Sequence, residues 1–165
     1  LGSFQRVTEG RDLISQKLSK WPDQFIEIVK YYKTLNNNLL VLLTGKRRNY
    51  LVNKLHENKI NFKYFEMASF SELNELYNIL NLYIVSSRVE GGPQSIIEAS
   101  LCKTPIISTD VGIASEILSE ESIFEMNSFS AAKPNVEHAY NTSLKYTIPG
   151  GFDKFNKLIE KIYES

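Results

Sequence analysis

Two glutamates bracket a stretch of the chain that is equipped to hold an anion. In Ser86-Ser87-Arg88-Val89-Glu90-Gly91-Gly92-Pro93-Gln94-Ser95-Ile96-Ile97-Glu98, Glu90 and Glu98 stand on either side of two glycines and a proline. The stretch follows the apolar run Leu82-Tyr83-Ile84-Val85, so a strand ends there and Pro93 starts a helix, where a first turn tolerates it. Gly91 and Gly92 let the backbone turn and come close to a ligand. The amides of Gln94 and Ser95 would then point out of the helix N-terminus, where the positive end of the dipole favours phosphate. Side chains on a helix lean toward its N-terminus, so Glu98 reaches back to the same ligand. Its carboxylate only accepts hydrogen bonds and suits neighbouring hydroxyls, as on a ribose. Glu90 lies on the other side of the anion. Phosphate in the middle and hydroxyls at both ends is the layout of a nucleoside diphosphate sugar. By composition alone, the same residues are a glycine-rich loop and a solvated helix face.

A second loop, Thr44-Gly45-Lys46-Arg47-Arg48-Asn49-Tyr50, puts three cations after a buried strand. Either Gly45 admits a base or phosphate and Arg47 binds the phosphate, or the run is a solvated face before a helix. It is not a P-loop, which needs a second Gly ahead of the Lys and a Ser or Thr after it. Cys102 falls on the apolar side of its helix and reads as a small core residue rather than a nucleophile. His56 and His138 lie outside the strand-end loops, and Gly112 reads as a turn glycine.

These residues need a scaffold, and the chain alternates strand and helix patterns from end to end. Leu39 to Thr44 is a continuous apolar run closed by Gly45, as in a strand buried on both faces. Lys63-Tyr64-Phe65, Leu82 to Ser86, Thr104 to Ser108 and a short Ser122-Ile123-Phe124 follow. The first strand opens the chain at Leu1-Gly2-Ser3-Phe4. Between them, Pro22 opens a helix with Phe25, Ile28, Val29 and Tyr32 at helical spacing. Further helices are expected over residues 49–57, 71–80, 93–102 and 152–163, with a polar excursion over 127–151 that has room for a short helix near Glu137 to Tyr140. The expected class is α/β, a Rossmann-like parallel sheet of about six strands with helices on both faces. In such a sheet ligands bind outside the carboxyl ends of the strands, which is where the loops above fall.

Composition excludes several classes. Of 165 residues 42% are hydrophobic, so the chain folds rather than remaining disordered. Nineteen basic residues balance nineteen acidic ones, leaving no field to gather nucleic acid. One cysteine rules out an internal disulfide framework and a thiolate zinc site, and two histidines make an imidazole site a poor expectation. No apolar run is long enough for a membrane span, and no signal-peptide pattern opens the chain. A cytoplasmic setting is the expectation. No G-x-G-x-x-G follows the first strand, which disfavours a dinucleotide oxidoreductase.

The segment from Glu90 to Glu98 resembles the Glu-(seven residues)-Glu motif of the retaining glycosyltransferases of family four, which have the two-domain GT-B fold. The likeness continues through Ala99-Ser100-Leu101-Cys102-Lys103-Thr104-Pro105-Ile106-Ile107-Ser108-Thr109-Asp110-Val111-Gly112 and Ser115-Glu116-Ile117, and covers roughly residues 1–124. The resemblance implies that Glu90 lies by the donor sugar hydroxyls and Glu98 holds the ribose. It implies that backbone amides around Gly91, Gly92, Gln94 and Ser95 meet the sugar and diphosphate. Pro93 stands where the family commonly has Gly and removes one N–H donor. The family's diphosphate-neutralising Arg and Lys match Arg6 and Lys20, although residues 7–19 make a longer loop between them and Trp21 replaces a usual Gly; Lys17 is the alternative lysine.

By the same resemblance the chain is a single donor-binding domain, a piece lacking an N-terminal acceptor domain. The whole enzyme would transfer a hexose from a nucleoside diphosphate sugar, without a metal, to a glycan or lipid-linked acceptor. A lipid-linked acceptor would place it at the inner membrane face. A non-catalytic nucleotide-sugar-binding module and a nucleotide-sugar 2-epimerase are the alternatives.

Overall fold

The computed structural model describes residues 1–4, 15–125 and 128–163. Five parallel strands form one sheet: β1 (Gly2–Ser3), β2 (Leu40–Thr44), β3 (Asn61–Phe65), β4 (Tyr83–Val85) and β5 (Ile106–Ser108). Their order is β3-β2-β1-β4-β5. The chain therefore leaves β1 toward one edge and returns to build the other edge beside it. The order reverses between β1 and β4, and the crevice outside the carboxyl ends of those two strands is the ligand position that this topology creates.

Strand residues alternate between two cores. Val41, Leu43, Ile84 and Ile107 pack with Phe25, Ile28, Val29, Leu51 and Leu55 on one face. Leu42, Tyr83, Val85 and Ile106 pack with Leu76, Tyr77, Ile96, Ala99 and Ile117 on the other. The first layer comes from α1 (Pro22–Leu35) and α2 (Asn49–Glu57). The second comes from α3 (Phe70–Ile79), α4 (Gln94–Leu101), α5 (Ala114–Ile117) and α6 (Val136–Ser143). Each large apolar side chain fully buried here stabilises the fold by roughly 1.5–3 kcal/mol relative to exposure.

Three expectations shift. The Ser122-Ile123-Phe124 strand is reduced to one bridge between Ile123 and Ser108, because the 3-10 turn Glu120–Ser122 occupies its first residue. Helix α3 starts at Phe70 rather than Ser71, since Ser69 and Glu72 form a capping box that satisfies two amides at once. The short helix expected near Glu137 to Tyr140 is there but longer: α6 runs from Val136 to Ser143, is capped by the Asn135 side chain, and buries Ala139 and Ser143. The last helix, α7 (Asp153–Tyr163), leaves Phe155, Leu158 and Ile162 exposed. No helix among the described residues is long and apolar enough to cross a membrane.

Candidate functional site

The loop after β4 is built against the turn that precedes α1. The backbone N–H groups of Arg88 and Val89 both donate to the Ser19 carbonyl, at 2.8 and 3.2 Å. Ser86 Oγ donates to the Trp21 carbonyl at 3.3 Å, and Thr109 Oγ1 donates to the Ser87 carbonyl at 2.6 Å. A 3-10 turn, Leu18–Lys20, leads into Trp21, whose φ of 45° is in the left-handed region that favours glycine. That turn lets Pro22 occupy the first position of α1. The Trp21 ring lies under the Arg88 guanidinium at 4.5 Å, a cation–π contact worth about 0.5–1 kcal/mol.

This stitching brings Lys20 and Glu90 together. The Lys20 ammonium donates to Glu90 Oε1, and Ser87 Oγ donates to the same oxygen at 3.0 Å. The pair is mostly sheltered, with 16% and 13% of the two side chains exposed. Lys17 stands at the start of the 3-10 turn and accepts the Lys20 N–H through its backbone carbonyl. Arg6 lies outside the described residues.

Past Glu90 the backbone is open. A Cβ on Gly91 would meet nothing within 4 Å, and one on Gly92 only Ile113 Cγ2 at 4.0 Å. Neither has a positive φ, so the fold itself does not require glycine at either position; space for a ligand is what the missing side chains leave. Gly112 is the reverse case. Its φ is +54°, and a Cβ there would sit 2.9 Å from both the Gly91 carbonyl and the Pro93 ring. Pro93 caps α4 instead of being its first residue, and its carbonyl accepts the Ile96 N–H at 2.9 Å. Gln94 and Ser95 therefore supply the first-turn amides, groups that have no acceptor inside their own helix.

Glu98 faces α3. Its Oε2 accepts from the Tyr77 hydroxyl at 2.9 Å, and it borders a recess of about 230 Å³ with Phe70, Leu73, Asn74, Leu101 and Cys102. Cys102 donates its S–H to Asn74 Oδ1 at 3.3 Å, and burial together with the nearby Glu98 pushes the thiol pKa up, away from nucleophile chemistry. Beneath, Tyr77, Tyr83 and Phe4 form a block of three rings with centroids 4.9–5.5 Å apart. The Tyr83 hydroxyl accepts the Phe4 N–H at 3.3 Å and is hydrogen-bonded to the Ser95 side chain. Burial drives both phenols above the usual tyrosine range, so they stay protonated.

In the loop after β2, Gly45 takes a positive φ of 91° and its carbonyl accepts from Tyr64 Oη at 2.9 Å. Arg47 is half-buried, with φ 62°. The buried cation is its neighbour Arg48, which donates through Nη2 to the Ser3 carbonyl at 2.6 Å while Nε and Nη1 have no partner among the described residues. Burial lowers its pKa to about 10 against the opposing pull of Tyr83 and Tyr64.

The glycosyl transferases group 1 family pattern matches residues 16–162. The chain belongs to that family. Its fold is that of a GT-B Rossmann-like domain, as three solved structures show. Sucrose-phosphate synthase from Thermosynechococcus elongatus superposes with a TM-score of 0.72 over 90% of this chain at 15% identity. The pneumococcal O-GlcNAc transferase GtfA, solved with UDP and GlcNAc, gives 0.65 over 99% at 16% identity. The C-terminal domain of the group 1 protein LpcC from Francisella tularensis gives 0.64 over 80% at 18% identity. The chain spans 43% and 39% of the first two proteins and 82% of the third. No curated protein matches it by sequence.

Within this group 1 domain, Glu90, Lys20, Gly91, Gly92, Gln94 and Ser95 gather at the reversal between β1 and β4. Glu98 is tied to them through the Tyr77–Tyr83 block. Gly45 and Arg47 stand one strand away, in the loop after β2, with the Phe4 carbonyl 4.0 Å from where a Gly45 Cβ would sit. Tyr77, Ser87, Arg88 and Arg48 went unread in the sequence. Tyr77 carries ordinary core spacing, and nothing in the run Lys46-Arg47-Arg48 distinguishes the residue that turns inward.

Proposed function

We propose that this chain is the donor-binding domain of a retaining glycosyltransferase that moves a hexose from a nucleoside diphosphate sugar to a glycan or lipid-linked acceptor. The observation that carries the reading is the meeting of Lys20 with Glu90 beside the N-terminus of α4, at the strand-order reversal. The diphosphate lies over the first-turn amides of α4 and takes Lys20, with Arg6, as counter-charge. Glu90, released from Lys20, accepts from a sugar hydroxyl, and Glu98 accepts from the ribose. As the bond from the anomeric carbon to phosphate breaks, negative charge grows on the departing phosphate, and fixed N–H groups and cations stabilise it without reorganisation. The acceptor hydroxyl attacks on the face the diphosphate leaves, and the departing phosphate oxygen takes its proton. Side-chain cations and helix amides do the charge neutralisation in this scheme, with no metal. UDP bound by the pneumococcal neighbour supports a nucleoside diphosphate ligand for this fold.

Calorimetric titration with UDP, GDP and ADP, with and without EDTA, tests it. One nucleotide binds, EDTA changes nothing, and Lys20→Ala weakens binding of the diphosphate about tenfold or more, the worth of a charged hydrogen bond. The matching monophosphate loses much less. A chain indifferent to all three nucleotides overturns the proposal.

A further inference from the structure

Glu98 is a flexible side chain on a helix surface, yet one of its oxygens is already engaged. Tyr77, 2% exposed and close to the end of α3, reaches across to Oε2. Its ring is held edge-on against Tyr83 and tilted against Phe4, so the hydroxyl has little freedom to turn elsewhere. With its single proton given to Oε2, that hydroxyl leaves the other carboxylate oxygen as the open acceptor. Tyr83 does the same service one turn earlier, where its hydroxyl holds the Ser95 side chain and the Phe4 amide. One buried block thus sets two ligand-facing positions of α4 from below, and neither tyrosine needs to touch a ligand.

We infer that Tyr77 is a positioning residue: its hydroxyl fixes the Glu98 carboxylate so that the site distinguishes a ribose from a deoxyribose. The inference rests on the donor-binding reading above and extends it to nucleotide selection. Pre-orienting an acceptor removes ordering that binding would otherwise have to supply. The effect should therefore be confined to ligands that carry the hydroxyls Glu98 receives.

Tyr77→Phe keeps the ring and deletes only the hydroxyl. The measurement is the affinity of wild type, Tyr77→Phe, Glu98→Ala and the double variant for the preferred nucleoside diphosphate and for its 2′-deoxy and 3′-deoxy forms. The expected result is that wild type prefers the ribonucleotide and Tyr77→Phe lowers that affinity about fivefold. Its affinity for at least one deoxy form stays unchanged. In the Glu98→Ala background, Tyr77→Phe then has no further effect, which a general loosening of the fold would not reproduce. Equal weakening toward ribo and deoxy forms, or an undiminished effect without Glu98, overturns the inference while leaving the donor-binding reading intact. Loss of all nucleotide binding in wild type overturns both.

Discussion

Two loops of this domain follow buried strands and carry cations, and they have opposite fates. After β4, Arg88, Val89, Gly91 and Gly92 stay exposed above the sheet, and Glu90 finds Lys20 from across the strand-order reversal. After β2, one strand further out, Arg48 folds inward and is completely buried against the Ser3 carbonyl. Charge content does not separate them, since the β2 loop is the more basic. Position does: the β4 loop borders a gap between diverging connections, while the β2 loop has α2 following at once and Tyr64 pinning its Gly45 carbonyl. A cation beside the gap is available to a ligand. A cation beside a closed layer becomes part of the fold.

The sharpest way to break this contrast is at Arg48. Arg48→Ala leaves a cavity and an unpaired buried carbonyl, and should cost about 3 kcal/mol in denaturant unfolding. Arg48→Met, which keeps the volume and removes a poorly partnered charge, should recover most of that loss. Lys20→Ala should cost clearly less, about 1 kcal/mol, because Glu90 keeps the Ser87 hydroxyl as a partner and some contact with water. Equal losses at Lys20 and Arg48 would erase the distinction between the loops.

Gly91 of the open loop, and Gly112 packed against it from the loop after β5, sharpen it further. Gly112→Ala must force a side chain into 2.9 Å contacts at positive φ, and should destabilise by about 2 kcal/mol in thermal or chemical unfolding. Gly91→Ala meets no atom and should stay within about 0.5 kcal/mol of wild type, while nucleotide affinity falls. A stability loss at Gly91 matching that at Gly112 would mean that the loop needs its glycines for folding alone.

A pH-dependent effect concerns the phenols beneath α4. Their folded pKa values are raised, so above the unfolded tyrosine pKa, near 10, the unfolded chain releases protons that the folded chain keeps. Stability therefore falls as pH rises past that point. Each such tyrosine contributes about 1 kcal/mol per pH unit. Arg48, with a lowered pKa, acts in the opposite direction above about pH 10. The clean reading is a difference: Tyr77→Phe should lose stability less steeply than wild type from pH 10 to 11. Identical slopes would show that the Tyr77 hydroxyl is not buried in solution.

Much of the scaffold was legible before any coordinates. The apolar run closed by Gly45 is β2, Pro22 opens α1 with Phe25, Ile28 and Val29 inward, and residues 49–57 form α2 as spaced. The Glu90 to Glu98 segment reads as a strand-end loop and helix start, and it is one. Misreadings cluster where short-range signals compete. A 3-10 turn claimed the start of the sixth strand, and the Ser69–Glu72 capping box set the start of α3 ahead of Ser71.

Hydrophobic period, proline placement and capping act over a few residues, so amino-acid order alone decided where the strands and helices form and that two carboxylates would flank a helix N-terminus. Strand order is a long-range property, and only the folded sheet decided that β1 lies beside β4. From that adjacency follow the meeting of Lys20 with Glu90 across 70 positions, the burial of Arg48 rather than Arg47, and the grip of Tyr77 on Glu98. None of these pairs has a local signal, because each depends on which surfaces the packed layers bring face to face.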